Sequence, residues 1–259
     1  VTEHLPFPPA LARQARDFRG TPVPVRPAAT VVLLHPTTLH VYLQRRAATM
    51  AFGGMFAFPG GRVDPTDRPT TVRPDWARRL GVPEEQARAV VGAAIRELFE
   101  ETGVLLAGRA DEPDHTVSDL GPDDGEADRA AVAARDLSMT DLLARRGLRL
   151  RDDLLLPWSR WITPEFAPQR FDTWFFVALL PDGQRTHDVS GESEETRWVS
   201  PAGSAELAML PPTRATLDSL RPHRTAADVV AAAARRDAAT PVHARVEATE
   251  DGGAVLSID

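Results

Sequence analysis

The sequence predicts an α/β fold, and three observations predict it. Residues Thr30 to His35 (TVVLLH) are continuously apolar, as in a strand covered on both faces. Residues Thr173 to Leu180 form a second strongly apolar, aromatic and β-branched run. Between them lies a helical pattern from Pro83 to Thr102 that opens on two acids and stops at a glycine.

In chain order, Ala10 to Phe18 reads as a short helix, followed by the Pro-punctuated arm TPVPVRP. Thr30–His35 and Leu39–Arg45 read as strands around a Pro36-Thr37-Thr38 turn, the second by alternation (LHVYLQR). Two glycine pairs, Gly53-Gly54 and Gly60-Gly61, flank MFAFP. Residues 62–83 are rich in Pro, Asp and Arg and read as an insertion or loop. The long helix follows, ending at Gly103. Residues 108–128 carry eight acids among Pro, Gly and Ser and read as a solvated loop. A helix is expected from Ser138 to Arg146, capped by Ser138 or Thr140. The segment from Leu154 to Pro181 holds three of the five Trp and ends in the second strong strand. A strand near Thr196–Val199 precedes helices at Pro201–Met209, Pro212–Leu220 and Ala226–Arg236, and the tail reads as a hairpin turning at Asp251-Gly252. These elements divide the 259 residues into an arm (1–27), a main domain (28–222) and a C-terminal extension (223–259). No repeat of solenoid period occurs.

Composition narrows the chemistry. Thirty basic and 37 acidic residues give a net charge of −7, and every basic residue is Arg. Cys, Lys and Asn are absent. Disulfides, thiolate nucleophiles, cysteine-ligated metals, Schiff-base lysines and phosphate-loop lysines are therefore excluded. Carboxylate, imidazole, hydroxyl and guanidinium remain. The seven His show neither HExxH nor HxH spacing, and no GxSxG elbow is present. The acidic balance argues against nucleic acid as a partner. No apolar run is long enough to span a membrane, and neither a secretory leader nor a peroxisomal tripeptide is seen, so a cytoplasmic location is expected.

Residues Ala93 to Leu105 read AAIRELFEETGVL. On a helix at about 100° per residue, Glu100 and Glu101 fall about 60° and 40° to either side of Glu97. Three carboxylates then share one face within a turn, while Val91, Ile95, Leu98 and Phe99 occupy the other half and suit packing on a sheet. Like charges at this spacing repel. Mg²⁺, a hard ion that takes carboxylate oxygens, waters and phosphates, would offset that. Arg96 borders the acidic face and is expected to pair with Glu100. Acids alone on a helix ordinarily mark a solvated surface; the full run R-E-L-x-E-E-x-G-V, preceded by FPGG-x-x-D, is more specific.

Together these residues resemble the Nudix hydrolase signature. Arg96, Glu97, Leu98, Glu100, Glu101, Gly103 and Val104 match its second half, and Gly61 its leading glycine. The departure lies between them. Arg96 lies 35 positions after Gly61, so the box is interrupted, and Arg88 stands where the family places its first Glu. Glu84 and Glu85 lie close but are not assigned to that role. An interrupted box occurs in the coenzyme A diphosphatase branch. Arg45-Arg46 followed by FPGG-x-x-D, Trp161-Ile162-Thr163-Pro164, Arg170-Phe171-Asp172-Thr173 and Glu194-Glu195-Thr196-Arg197-Trp198 are similar to that branch as well.

The resemblance implies an α/β/α sandwich, a mixed sheet between helices, with an insertion and a C-terminal extension. It implies hydrolysis of a small-molecule diphosphate with Mg²⁺ or Mn²⁺ as cofactor: coenzyme A or its thioesters to 3′,5′-ADP and a 4′-phosphopantetheine product, or else ADP-ribose or NADH. It makes Glu97, Glu100 and Glu101 metal ligands and lets backbone approach closely at Gly60 and Gly61. Glu192, Glu194 and Glu195 become candidates for a general base beside the box acids, and Arg45 and Arg46 for phosphate contacts. Trp158, Trp161, Phe166 and Trp174 are weighed as adenine-stacking partners, most of them expected in the core; Arg170 and Asp172 are expected to pair. A catalytically silent ligand-sensing module is the rival of another class. The oligomeric state is open, a homodimer included.

Overall fold

The computed structural model describes residues 3–6, 9–49, 52–112, 115–118, 120, 122–187, 193–248 and 254–258. The chain begins with β1 (Glu3–Pro6), α1 (Pro9–Asp17), β2 (Val25–Leu34), β3 (Val41–Arg46), β4 (Phe56–Ala57) and β5 (Gly60–Arg62). Next come α2 (Trp76–Leu80), α3 (Glu84–Thr102), β6 (Ala107–Arg109), α4 (Pro122–Ala133), α5 (Met139–Arg146) and β7 (Leu148–Leu150). The rest comprises β8 (Leu156–Ile162), β9 (Arg170–Leu179), β10 (Ser193–Val199), α6 (Pro211–Leu220), α7 (Ala226–Ala233), β11 (Val242–His243), β12 (Arg245–Ala248) and β13 (Ala254–Ile258).

The central sheet is mixed and runs β10-β3-β2-β9-β8-β11, with β4 on β3 and β5 on β2. Its spine is a ten-residue parallel pairing, from Val25 opposite Arg170 to Leu34 opposite Leu179. The unbroken apolar run in β2 has a direct cause. Val31 and Leu33 enter one core with Val91, Ile95 and Leu98 of α3. Val32 and Leu34, on the other face, enter a second core with Leu217 and Leu220 of α6 and Val229 of α7. Successive strand residues alternate faces, so a strand buried on both sides needs apolar residues throughout. The result is the expected α/β/α sandwich.

Helix α3 begins directly after Pro83, with Glu84 and Glu85 in its first turn, where acids suit the helix dipole. It ends at Gly103, whose φ of 73° is left-handed and whose N–H caps the Phe99 carbonyl. Both ends match the sequence expectation. Helix α5 is capped by Ser138, which accepts from the Asp141 N–H.

Several expectations need correction. Residues 63–75 run as loop, as expected, but the 62–83 stretch also carries α2. Trp76 and Leu80 of α2 are buried in the first core, and Arg88 of α3 donates to the Thr70 carbonyl at 2.9 Å. Residues 108–128 contain β6 and part of α4, and Asp128 is buried between Arg145 and Arg146 rather than solvated. Pro201–Met209 forms only a 3₁₀ turn at Ala202–Ser204. Arg170 bonds the carbonyls of Thr163 and Val23, while Asp172 takes a bidentate pair from Arg160 at 2.8 and 2.7 Å. The tail pairs β12 with β13 as a hairpin, and β13 also pairs with β1; the turn at Asp251-Gly252 lies outside the described residues. Among the described residues no helix is long and apolar enough to cross a membrane.

Candidate functional site

The acidic face of α3 lies against β5 and β3, and the whole of it is buried. Arg96 is 1% exposed, and Glu97, Glu100 and Glu101 are 7, 9 and 6% exposed. Charges this deep must be paired and hydrogen-bonded.

Arg96 is the centre of that pairing. Its Nε and Nη2 hold Asp67 at 2.7 and 2.9 Å, Nη2 also donates to the Arg62 carbonyl at 2.8 Å, and Nη1 is shared between Glu97 at 2.7 Å and Glu100 at 3.1 Å. The expected contact with Glu100 is thus one of several. Burial alone would lower the Arg96 pKa, but Asp67, Glu97 and Glu100 outweigh it and hold the group above its ordinary value. Burial pushes Glu97 up to about 7, with Arg96 opposing and the neighbouring Glu100 adding to the rise.

Glu101 is held from the other side. The Gly60 N–H donates to its Oε2 at 2.9 Å, and Gln44 Nε2 of β3 donates to the same oxygen at 2.5 Å. The Gln44 Oε1 is buried, with no hydrogen-bond partner among the described residues. Gly61 forms a cradle for Glu97: a Cβ built there would lie 2.5 Å from the Glu97 Oε1. Gly60 presses on β2, where a Cβ would lie 2.5 Å from the Ala29 carbonyl oxygen. At Gly60 the contact is with backbone and requires glycine; at Gly61 it is with the end of the Glu97 side chain.

At the open side of the cluster stands Arg135, just beyond α4. Its Nη1 donates to Glu100 Oε1, and its Nε lies 3.5 Å from Asp64 Oδ2. The Thr66 hydroxyl and N–H hold Asp64 below the ordinary carboxylate range. With the box carboxylates turned onto Arg96, Arg135, Gln44 and Gly60, no three acids or imidazoles among the described residues stand in a ligating arrangement.

The candidate arginines diverge. Arg45 lies 3.4 Å from both Glu194 and Glu195, Glu194 also accepts from the Ala48 N–H, and Arg197 holds Glu195. Arg46 follows Gln44 by two on β3, hence on the same side of the strand as the Glu101 contact. Glu192 lies outside the described residues. Trp158, Trp161 and Trp174 are buried core residues, as most of the aromatic candidates were expected to be. Phe166 instead lines a cavity of about 820 Å³ with Phe18, Ile162 and His243, apart from the box.

Three residues of the site escape a sequence reading: Asp67, Gln44 and Arg135. Asp67 sits in a stretch that looks like a loop, Gln44 in a strand whose alternation suggests an outward amide, and Arg135 among many arginines. Nothing local marks any of them.

Comparison with known proteins agrees with this fold. The NUDT19 Nudix domain family matches residues 75–210. Nudix hydrolase 7 of Caenorhabditis elegans is 29% identical over 194 residues, 72% of this chain and 57% of that protein. The acyl-coenzyme A diphosphatase NUDT19 of Xenopus laevis is 26% identical over 135 residues, 48% of this chain and 35% of that protein. The chain thus spans about half or less of the length of these curated relatives. A crystal structure of a Nudix hydrolase from Alicyclobacillus acidocaldarius superposes with a TM-score of 0.64 at 27% identity, covering 81% of this chain and 96% of that one. With the interrupted box folded as one buried face of α3 against Gly60-Gly61, the chain belongs to the Nudix hydrolase family.

Proposed function

We propose that this chain hydrolyses the diphosphate of a nucleoside diphosphate linked to another moiety, with coenzyme A or an acyl-coenzyme A as substrate. The observation that carries the reading is the burial of Glu97, Glu100 and Glu101 on one helical face against Gly60-Gly61. Glu97, Glu100 and Glu101 are buried together, and Glu97 and Glu100 share Arg96 and Arg135 with Asp67 and Asp64, so the acids of the cluster outnumber its arginines. The hard carboxylate oxygens, and the buried amide oxygen of Gln44 that lacks a donor among the described residues, suit Mg²⁺ or Mn²⁺ with its waters. Glu97, Glu100 and Glu101 would hold the ion. When bound, it supplies neutralisation of phosphate charge and a more acidic water.

The chain's own residues do the rest. Water attacks one phosphorus, the bond from that phosphorus to the bridging oxygen breaks, and that oxygen leaves with the second phosphate. The proton lost by water passes to a carboxylate of the site, for which the box acids and the arginine-paired Glu194 and Glu195 are the candidates. Arg96 fixes Glu97 and Glu100 from behind, and Gly60 and Gln44 fix Glu101. Arg45 and Arg46 are assigned to the substrate phosphates, Arg46 from the Gln44 side of β3 and Arg45 on leaving Glu194 and Glu195. The similarity to an acyl-coenzyme A diphosphatase and to the NUDT19 Nudix domain supports the substrate class.

The test is a panel of coenzyme A, ADP-ribose and NADH incubated with Mg²⁺ or Mn²⁺, with products identified by mass. Coenzyme A should yield 3′,5′-ADP and 4′-phosphopantetheine. Cleavage of ADP-ribose or NADH with coenzyme A left intact would overturn the substrate, and no cleavage at all would favour a ligand-sensing module.

A further inference from the structure

We infer that Arg135 is an exchangeable arginine of this site: it neutralises Glu100 in the metal-free protein, yields that carboxylate when a divalent cation binds, and then pairs with the anionic diphosphate of the substrate. This rests on the function proposed above.

Two arginines reach Glu100 Oε1, and they differ in kind. The Arg96 side chain is 2% exposed and is saturated by Asp67, Glu97, Glu100 and the Arg62 carbonyl. It has no freedom to leave. The Arg135 side chain is 41% exposed and approaches from the open side of the cluster. Its charged contacts are Glu100, one of the proposed ligands, and Asp64, the last residue of FPGG-x-x-D. Beyond these, its Nη1 donates to the Val132 carbonyl at 3.1 Å. A cation held by Glu100 removes the charge that draws this guanidinium in. The freed guanidinium, still anchored at the end of α4, would then be available to the phosphate oxygens of a diphosphate, which a guanidinium binds in bidentate fashion.

The backbone is a second, independent observation. Arg135 has a φ of 67°, in the left-handed region. Its N–H bonds the Val132 carbonyl and the Asp136 N–H bonds the Ala131 carbonyl, the two bonds of a Schellman turn closing α4. Glycine ordinarily fills that position because a Cβ is disfavoured there. The helix end alone would be better served by glycine; the arginine is explained by where its side chain reaches.

That backbone also provides a variant which cannot be dismissed as misfolded. R135G suits the turn and removes the guanidinium; R135K keeps a charge without the bidentate fork. Three measurements are made on wild type and both variants: thermal unfolding, Mn²⁺ affinity by electron paramagnetic resonance, and affinity for α,β-methylene-ADP in the presence of Mn²⁺. R135G should unfold no earlier than wild type. It should bind Mn²⁺ several-fold more tightly, having lost a competitor for Glu100, and should bind α,β-methylene-ADP at least tenfold more weakly. R135K should fall between wild type and R135G. Unchanged or weaker Mn²⁺ binding by R135G, or unchanged affinity for α,β-methylene-ADP, would overturn the exchange. If the binding changes appear while wild type cleaves no diphosphate, the hydrolase reading falls and the exchange stands. If wild type cleaves diphosphates and R135G binds both ligands as wild type does, the exchange falls alone.

Discussion

Asp67 and Arg96 are 29 residues apart and form a buried bidentate pair at 2.7 and 2.9 Å. The pair ties the segment interrupting the box to the helix that carries the carboxylates. It also leaves the Arg96 Nη1 aimed at Glu97 and Glu100. Removing one partner of a buried pair leaves an uncompensated charge. Arg96→Ala should therefore lower unfolding stability by about 3–5 kcal/mol. Measured in urea, the Asp67→Asn and Arg96→Lys single and double variants should be non-additive, with a coupling of about 0.5–3 kcal/mol. Additive losses would mean that the pair does not act as a unit.

This relationship shows where sequence reading stops. The limits of α3 were legible, because first-turn acids and a left-handed glycine act within a few residues of the helix ends. The unbroken apolar run of β2 was legible because burial on both faces leaves a local pattern. The R-E-L-x-E-E-x-G-V run marked the carboxylate face directly. Asp67 was not legible: its partner lies 29 residues away, and Pro and Arg around it look like a loop. Asp128 was missed for the same reason, its counter-charges lying one helix later. Gln44 lies in a strand whose sequence alternates, yet β3 is buried on both faces and the amide meets Glu101.

The two glycines of β5 should respond differently to a methyl group. At Gly60 the new Cβ would strike the Ala29 carbonyl oxygen at 2.5 Å and the Thr30 Cα at 2.7 Å, both backbone atoms that cannot swing aside. Gly60→Ala should cost about 1–3 kcal/mol of stability. At Gly61 the methyl would meet the end of the Glu97 side chain, which can rotate. Gly61→Ala should unfold close to wild type yet bind Mn²⁺ more weakly, because Glu97 is displaced. Calorimetry of both variants with and without Mn²⁺ separates the two effects, and equal stability losses would contradict them.

Gln44 positions a carboxylate without being one. Replacing it with Leu removes a donor to Glu101. Groups that orient metal-binding carboxylates are worth about 10–100-fold in metal affinity or activity. Gln44→Leu should lose that much in kcat or Mn²⁺ affinity while retaining its fold by circular dichroism. Full retention of both would show that Glu101 needs no support from β3.

A pH dependence is expected far from the site, at the start of α7. Thr225 caps that helix, and its side-chain and backbone hydrogen bonds to Asp228, with the Arg224 N–H, hold the carboxylate below its ordinary value of 3.8. A lowered carboxylate pKa contributes stability that is present above the unfolded value and lost as pH falls through the folded one. Asp228→Ala should therefore have a lower Tm than wild type at pH 7, and the gap should narrow below pH 3.8. A gap independent of pH would contradict the role of the ionised carboxylate.

The most direct test of the central claim compares wild type with Glu100→Gln. Initial rates of coenzyme A cleavage are measured at saturating Mg²⁺ with products resolved by mass. If the buried face of Glu97, Glu100 and Glu101 is the metal-dependent hydrolytic centre, wild type releases 3′,5′-ADP only when Mg²⁺ or Mn²⁺ is present, and Glu100→Gln falls to background while remaining folded. Equal rates in the two proteins, or cleavage that continues undiminished in a chelator, would contradict it.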